Sequence, residues 1–230
     1  MYGRGKIYRM KIRAILSVIA MLVVGAHVSA APSSYVAWTA ETVRLVSAGD
    51  ASKGAVLAYG CAACHGEAGL GVSPDFPHIA GQDPRYLFKQ LSDFRDKTRT
   101  NPVMNGIAAG MTDQEMADIA AYYAAQPGPP PESPGAESVT VPALVTRGNG
   151  SRMVPACQGC HGDNGAGSPG YYGMAVLAGQ KSSYLQGALK QFRDGSRSND
   201  IYSVMRAIAK PLTDDEIAAL GDYYAAQHLR

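Results

Sequence analysis

Two short stretches of this chain carry the residue types that do chemistry. Cys61-Ala-Ala-Cys64-His65-Gly66 and Cys157-Gln-Gly-Cys160-His161-Gly162 each set two thiols three residues apart, with an imidazole directly after the second. Thiols at that spacing can add to two vinyl groups of one haem from the same face. The adjoining His then reaches the iron, and the whole is the attachment signature of haem c. Four cysteines in an exported chain would ordinarily suggest two disulfides, but here all four lie in these motifs. Cys61, Cys64, Cys157 and Cys160 are therefore expected to bind two haem c groups covalently, with His65 and His161 as iron ligands. Zinc usually takes a His some distance away. A thioredoxin-like pair follows a strand, whereas the residues before Cys61 read as helix.

The two motifs belong to a longer repeat. Ala80-Gly81-Gln82 recurs as Ala178-Gly179-Gln180, Tyr86-Leu87 as Tyr184-Leu185, and Phe94-Arg95-Asp96 as Phe192-Arg193-Asp194. Arg99 and Asn101 recur as Arg197 and Asn199. Thr112-Asp113-x-Glu115 recurs as Thr213-Asp214-x-Glu216, and Tyr122-Tyr123-Ala-Ala-Gln126 as Tyr223-Tyr224-Ala-Ala-Gln227. The offset drifts from 96 to 101 residues, through two residues gained after the second His and three before the second Met.

The repeat nominates the remaining axial ligands. His/Met coordination closes the iron to substrates and raises its potential. Met104 and Met205 recur at one equivalent position, in an otherwise divergent and loop-like segment. Met111 matches Leu212, a core type, and Met153 and Met174 lie too near the second motif to reach the opposite haem face. His78 matches Val176 and reads as a surface or propionate-side residue. The paired tyrosines read as helix core near the haem edge.

The elements that must hold these groups read as helices. Asp50 can cap a helix over about 51–59 that delivers the chain into the first motif. Asp83 followed by Pro84 is an N-cap with Pro at the first helical position. Tyr86, Leu87, Gln90, Leu91 and Phe94 then fall at helical spacing. Tyr184, Leu185, Ala188, Leu189 and Phe192 repeat that pattern, and Gly195 offers its stop. The last helix of each half opens with a Thr-Asp-x-Glu capping box. Convincing β alternation is absent, so the expected fold class is all-α, with two tandem domains each wrapped around a haem. Domains below about 100 residues with such long loops lack the apolar area to fold on side chains alone; a cofactor would complete each core.

The ends and the middle divide the chain. Arg4, Lys6, Arg9, Lys11 and Arg13, an apolar run from Ala14 to Ala26, and Val28-Ser29-Ala30 follow the order of a secretory signal peptide cleaved after Ala30. The run of about 13 residues falls short of the ~20 that a spanning helix needs. Of 21 basic residues the leader holds five and none of the 19 acids, which leaves 16 against 19, a net −3. No basic patch points to nucleic acid. Residues 31–126 and 143–230 are the expected domains. Between them 127–142 begins with Pro127-Gly-Pro-Pro-Pro-Glu-Ser-Pro134, an extended, semi-rigid connector.

Taken together, the two Cys-x-x-Cys-His-Gly motifs, the Ala-Gly-Gln turns, Phe-Arg-Asp with Arg-x-Asn, Met-x-x-Ile-Ala, and Val154-Pro155-Ala156-Cys157 resemble the two-haem cytochrome c4 family, among class I c-type cytochromes. The resemblance covers about residues 49 to 230. It implies a periplasmic dihaem electron carrier with its two domains packed face to face. Donors would be a membrane quinol-oxidising complex or a dehydrogenase, and acceptors terminal oxidases. It also implies a Pro before Ala-Gly-Gln whose carbonyl receives the axial His N–H. Pro77 fits, but Ala175 stands in the second half, so the two haems are expected to differ in potential. Two other readings compete. A haem-dependent enzyme, for small sulfur compounds or peroxide, needs a Met that leaves the iron. A permanent subunit of a membrane respiratory complex needs a fixed partner.

Overall fold

The computed structural model describes residues 33–132, 140–168 and 173–229. The proposed leader lies outside them. The described residues are helical, with one isolated bridge between Asn149 and Val154 and no strand. Among them no helix is long and apolar enough to cross a membrane.

The first half contains α1 (Ala40–Ser47), α2 (Ala51–Leu57), α3 (Ala62–His65), α4 (Pro84–Arg95), α5 (Pro102–Ala108) and α6 (Asp113–Ala124). Asp50 caps α2 through the amides of Ser52 and Lys53, and a 3-10 turn over Ala58–Cys61 carries the chain on into α3. Asp83 caps α4 at the Tyr86 amide, with Pro84 at its start. The Thr112–Glu115 capping box closes on α6 as its spacing predicts. Helices α1, α2 and α4 pack on α6. Val46, Leu87, Phe88, Met116, Ile119 and Tyr123 are buried together there. At Gly54 the contact is backbone on backbone, since a Cβ would stand 2.0 Å from the Asp118 carbonyl oxygen.

The second half repeats the later elements, with α7 (Ala143–Thr146), α8 (Gln158–His161), α9 (Ser182–Asp194), α10 (Val204–Ala209) and α11 (Asp214–Ala225). Gly195 ends α9 in the left-handed region at φ 83°. The Thr213–Glu216 box opens α11. A separate core of Leu144, Val145, Val154, Leu185, Leu212, Ile217, Leu220, Tyr223 and Tyr224 fills this half. One single turn, α7, stands where the first half has two helices.

Between the cores lies a polar seam with an approximate twofold. Arg99 donates to the Tyr184 hydroxyl at 3.1 Å, and Arg197 donates to the Tyr86 hydroxyl at 3.1 Å. Each guanidinium also rides on the Phe of its own half, Phe94 at 4.6 Å and Phe192 at 4.4 Å. Lys89 bonds Asp93 and the Asn199 carbonyl, and the Asn199 amide donates to Gln90 at 3.0 Å and Asp93 at 2.6 Å. Every buried charge in this group is partnered, as burial demands.

The connector is no loose tether over its described part. Residues 127–132 form no helix, the Glu132 amide donates to the Ala225 carbonyl at 3.0 Å, and Pro129 lies against Gly179. Residues 133–139 of the connector lie outside the described residues.

Candidate functional site

Each motif folds as one helical turn that ends on its histidine. Gly66 and Gly162 then break the turn at φ 73° and 76°, a conformation that glycine adopts without steric cost. The chain loops back on a second glycine of each half. The Gly69 carbonyl accepts from the Ile79 and Ala80 amides, and the Gly165 carbonyl from Leu177 and Ala178. A Cβ on Gly69 would come within 2.8 Å of the Tyr123 ring, and one on Gly165 within 2.7 Å of the Tyr224 ring. The loop therefore lies directly on the final helix. Its return strand of chain brings a carbonyl to each imidazole. His65 Nδ1 stands 3.0 Å from the Pro77 oxygen, and His161 Nδ1 stands 2.9 Å from the Ala175 oxygen.

A carbonyl only accepts, so each Nδ1 carries the proton and Nε2 keeps its lone pair. Burial acts in the same direction. Desolvation lowers the proton affinity of both rings against the help of that carbonyl. Both imidazoles are thus held neutral and aimed, the condition for metal ligation. The replacement of Pro77 by Ala175 leaves the hydrogen bond intact.

The four cysteines form no disulfide. Cys61 packs at the margin of the first core and Cys157 at the margin of the second. Burial pushes both thiols up in pKa. Beside them the hydroxyls of Tyr123 and Tyr224 are buried without a hydrogen-bond partner, and burial pushes these upward as well. Among the described residues no three of His, Cys, Asp and Glu gather where they could hold a bare metal ion.

The methionines stand on other elements. Met104 lies on α5, which packs on α4, and Met205 lies on α10, which packs on α9. The sequence expectation of a loop-like segment is too coarse here, because Asn101 caps α5 through the amides of Val103 and Met104 and Pro102 opens it. Asn105 then ties α5 to the Phe94 and Arg99 carbonyls at 2.6 and 2.8 Å. The second half solves the same problem differently. Asn199, the match of Asn101, is drawn into the seam. Asp200 instead accepts from the Arg206 amide at 2.9 Å and its Nε at 2.7 Å, after left-handed turns at Tyr202 and Ser203. The three inserted residues lie between Asn199 and Met205, in the stretch that this pair closes. Met111 packs against the first core, and Met153 is 87% exposed.

The donor set fits haem in both halves. It offers two thiols and a neutral, aimed imidazole on one turn, and a half-buried thioether on a separate short helix. Val56, Tyr59, Val103 and Ile107 are exposed in the first half, and Tyr202 and Val204 in the second. Cys61, Cys64, His65 and Met104 would hold one haem, and Cys157, Cys160, His161 and Met205 the other.

Sequence reasoning missed what joins the halves. His78, read from the sequence as a surface or propionate-side residue, is half-buried, and its backbone joins the halves. Its amide donates to Gln180 Oε1 at 2.9 Å, and its carbonyl accepts from Gln180 Nε2 at 2.7 Å. Trp38, uninformative as a sequence position, packs its ring on Phe88 and against Gly173 of the second half. The recurrence of a polar Gln at an otherwise small-residue turn is the signal that could have revealed the clamp.

Comparison with known proteins agrees with this geometry. The family model for cytochrome c matches residues 51–125 and again 148–225. The chain is similar to cytochrome c4 of Thiocapsa roseopersicina, at 40% identity over 76% of this chain and 91% of that protein. It is 38% identical to a thiosulfate dehydrogenase electron acceptor of Stutzerimonas stutzeri, over 87% of this chain and 92% of that one. Among solved structures, reduced recombinant cytochrome c4 from Pseudomonas stutzeri superposes with a TM-score of 0.73 at 36% identity, covering 79% of this chain and all of that one.

Proposed function

Because this chain belongs to the cytochrome c4 family of dihaem cytochromes c, we propose that it carries electrons in the periplasm between a respiratory donor and a terminal oxidase. The haem supplies one-electron chemistry at its iron when bound. The protein's own part is to hold, aim and insulate. Cys61 and Cys64, and Cys157 and Cys160, tether the two groups. Pro77 and Ala175 aim the neutral imidazoles of His65 and His161. Asn105 and the Asp200–Arg206 pair anchor the helices of Met104 and Met205, which would offer their thioethers to the two irons. The observation that carries this reading is the doubled Cys-x-x-Cys-His turn with each Nδ1 bound to a backbone carbonyl.

A leader over residues 1–30, removed after Ala30, supports export. The donor fits one of two classes, a quinol-oxidising membrane complex or a soluble dehydrogenase. Relatives named as electron acceptors of thiosulfate dehydrogenase favour the second. The deciding experiment mixes the oxidised dihaem protein with each donor in a stopped-flow spectrometer. Rapid reduction by thiosulfate dehydrogenase with thiosulfate supports that donor. Reduction only by the quinol-oxidising complex selects the other, and reduction by neither overturns the carrier role. Carbon monoxide binding to the reduced protein would point instead to an open iron and an enzyme.

A further inference from the structure

The seam repeats its partners across the two halves at Gln82 and Gln180, Tyr86 and Tyr184, and Arg99 and Arg197. The next position after each Gln breaks that symmetry in charge, with Asp83 in the first half and Lys181 in the second. Asp83 turns back and caps its own helix at the Tyr86 amide. Lys181 crosses the seam. Its ammonium donates to the carbonyl of Gly71 at 2.6 Å and to that of Ser73. Both lie in the loop between His65 and Pro77, the loop that aims the first axial imidazole. Lys181 is 7% exposed. Desolvation weakens its hold on the proton, and the nearby Glu132 carboxylate partly restores it.

We infer that Lys181 makes the haem of the first half the higher-potential one, so that a single electron in the half-reduced molecule settles there. Oxidised iron carries one more positive charge than reduced iron, and a nearby cation penalises it. His78, directly after Pro77, is neutral at pH 7 because burial and Lys181 depress its pKa to about 4. Carboxylates on the corresponding loops, Glu67 and Asp75 in the first half and Asp163 in the second, are exposed and screened. The axial hydrogen bonds cannot make the difference, being 3.0 Å in one half and 2.9 Å in the other. The buried cation can.

This inference rests on the haem assignments proposed above, and its test separates the two. Potentiometric titration of the holoprotein is followed by visible spectra and by NMR of the haem methyls, assigned through their contacts to each half. The wild type should show two midpoints, the first-half haem higher. Lys181→Met should lower that midpoint and leave the other in place, shifting the electron partition at least ~3-fold, about 28 mV at 59 mV per decade. Lys181→Arg, which keeps the charge, should hold the wild-type order. A wild type whose first-half haem is the lower one overturns the inference even if Lys181→Met fails to fold. So does a Lys181→Met protein in which neither midpoint moves, or both move alike. A protein with fewer than two covalent haems would sink the site assignments instead.

Discussion

Gln82 and Gln180 occupy equivalent places in the two halves, and each closes on the other half's backbone. Gln82 accepts from the Val176 amide at 2.6 Å and donates to the Val176 carbonyl at 2.9 Å, while Gln180 does the same at His78. His78 and Val176 directly follow Pro77 and Ala175, whose carbonyls aim the axial imidazoles. Each half therefore braces the histidine support of its neighbour.

Gln82→Ala leaves a part-buried N–H and C=O of Val176 without these partners and should cost about 1–3 kcal/mol. Denaturant unfolding followed by haem absorbance checks the loss. Hydrogen exchange checks the location, with the Val176 amide accelerated in Gln82→Ala and the His78 amide in Gln180→Ala. Exchange that speeds up equally at both amides in either variant would contradict the crossed arrangement.

Removal of the thiols should act one half at a time. The Cys61→Ala, Cys64→Ala double variant is expected to retain one covalent haem, read by denaturing mass spectrometry and a pyridine haemochrome assay. The Cys157→Ala, Cys160→Ala variant should give the same count. Retention of two covalent haems in either would refute the assignment.

Asn105 holds the helix of Met104 by its bonds to Phe94 and Arg99. Asn105→Leu removes the donor to the Arg99 carbonyl and one donor to Phe94, and should cost about 1–3 kcal/mol. On warming, the near-infrared Met–iron band of the first haem should vanish well before global unfolding by circular dichroism. The second haem's band, anchored through Asp200 and Arg206, should persist to the main transition.

His78 confers an acid sensitivity whose sign follows from its pKa. Burial first, and Lys181 second, depress it from 6.5 in the unfolded chain to about 4. Between those values the unfolded state binds more proton than the native one. Stability is therefore complete above about pH 6.5 and declines as pH falls toward 4. His78→Val, which copies Val176, should remove that decline, an effect on the order of 1 kcal/mol after discounting for a half-exposed ring. Parallel unfolding curves at pH 7 and 4.5 measure it, and an unchanged slope with pH would exclude His78 as the source.

Much of this protein was already written along the chain, because its signals are local. Thiol spacing, Asp50 and Asp83 caps, Thr–Glu boxes and the recurrence of Met104 as Met205 each involve residues within a turn or a single repeat. Such features fix helices, their ends and the chemistry of each half. The seam belongs to the tertiary structure alone. Gln82 on Val176, Gln180 on His78, and Lys181 on Gly71 join residues 94 to 110 positions apart. No periodicity encodes those pairings, since they depend on how two finished cores meet. That meeting also decided that Asn199 leaves its capping role for the interface, and that a lysine of one half sits beside the histidine loop of the other.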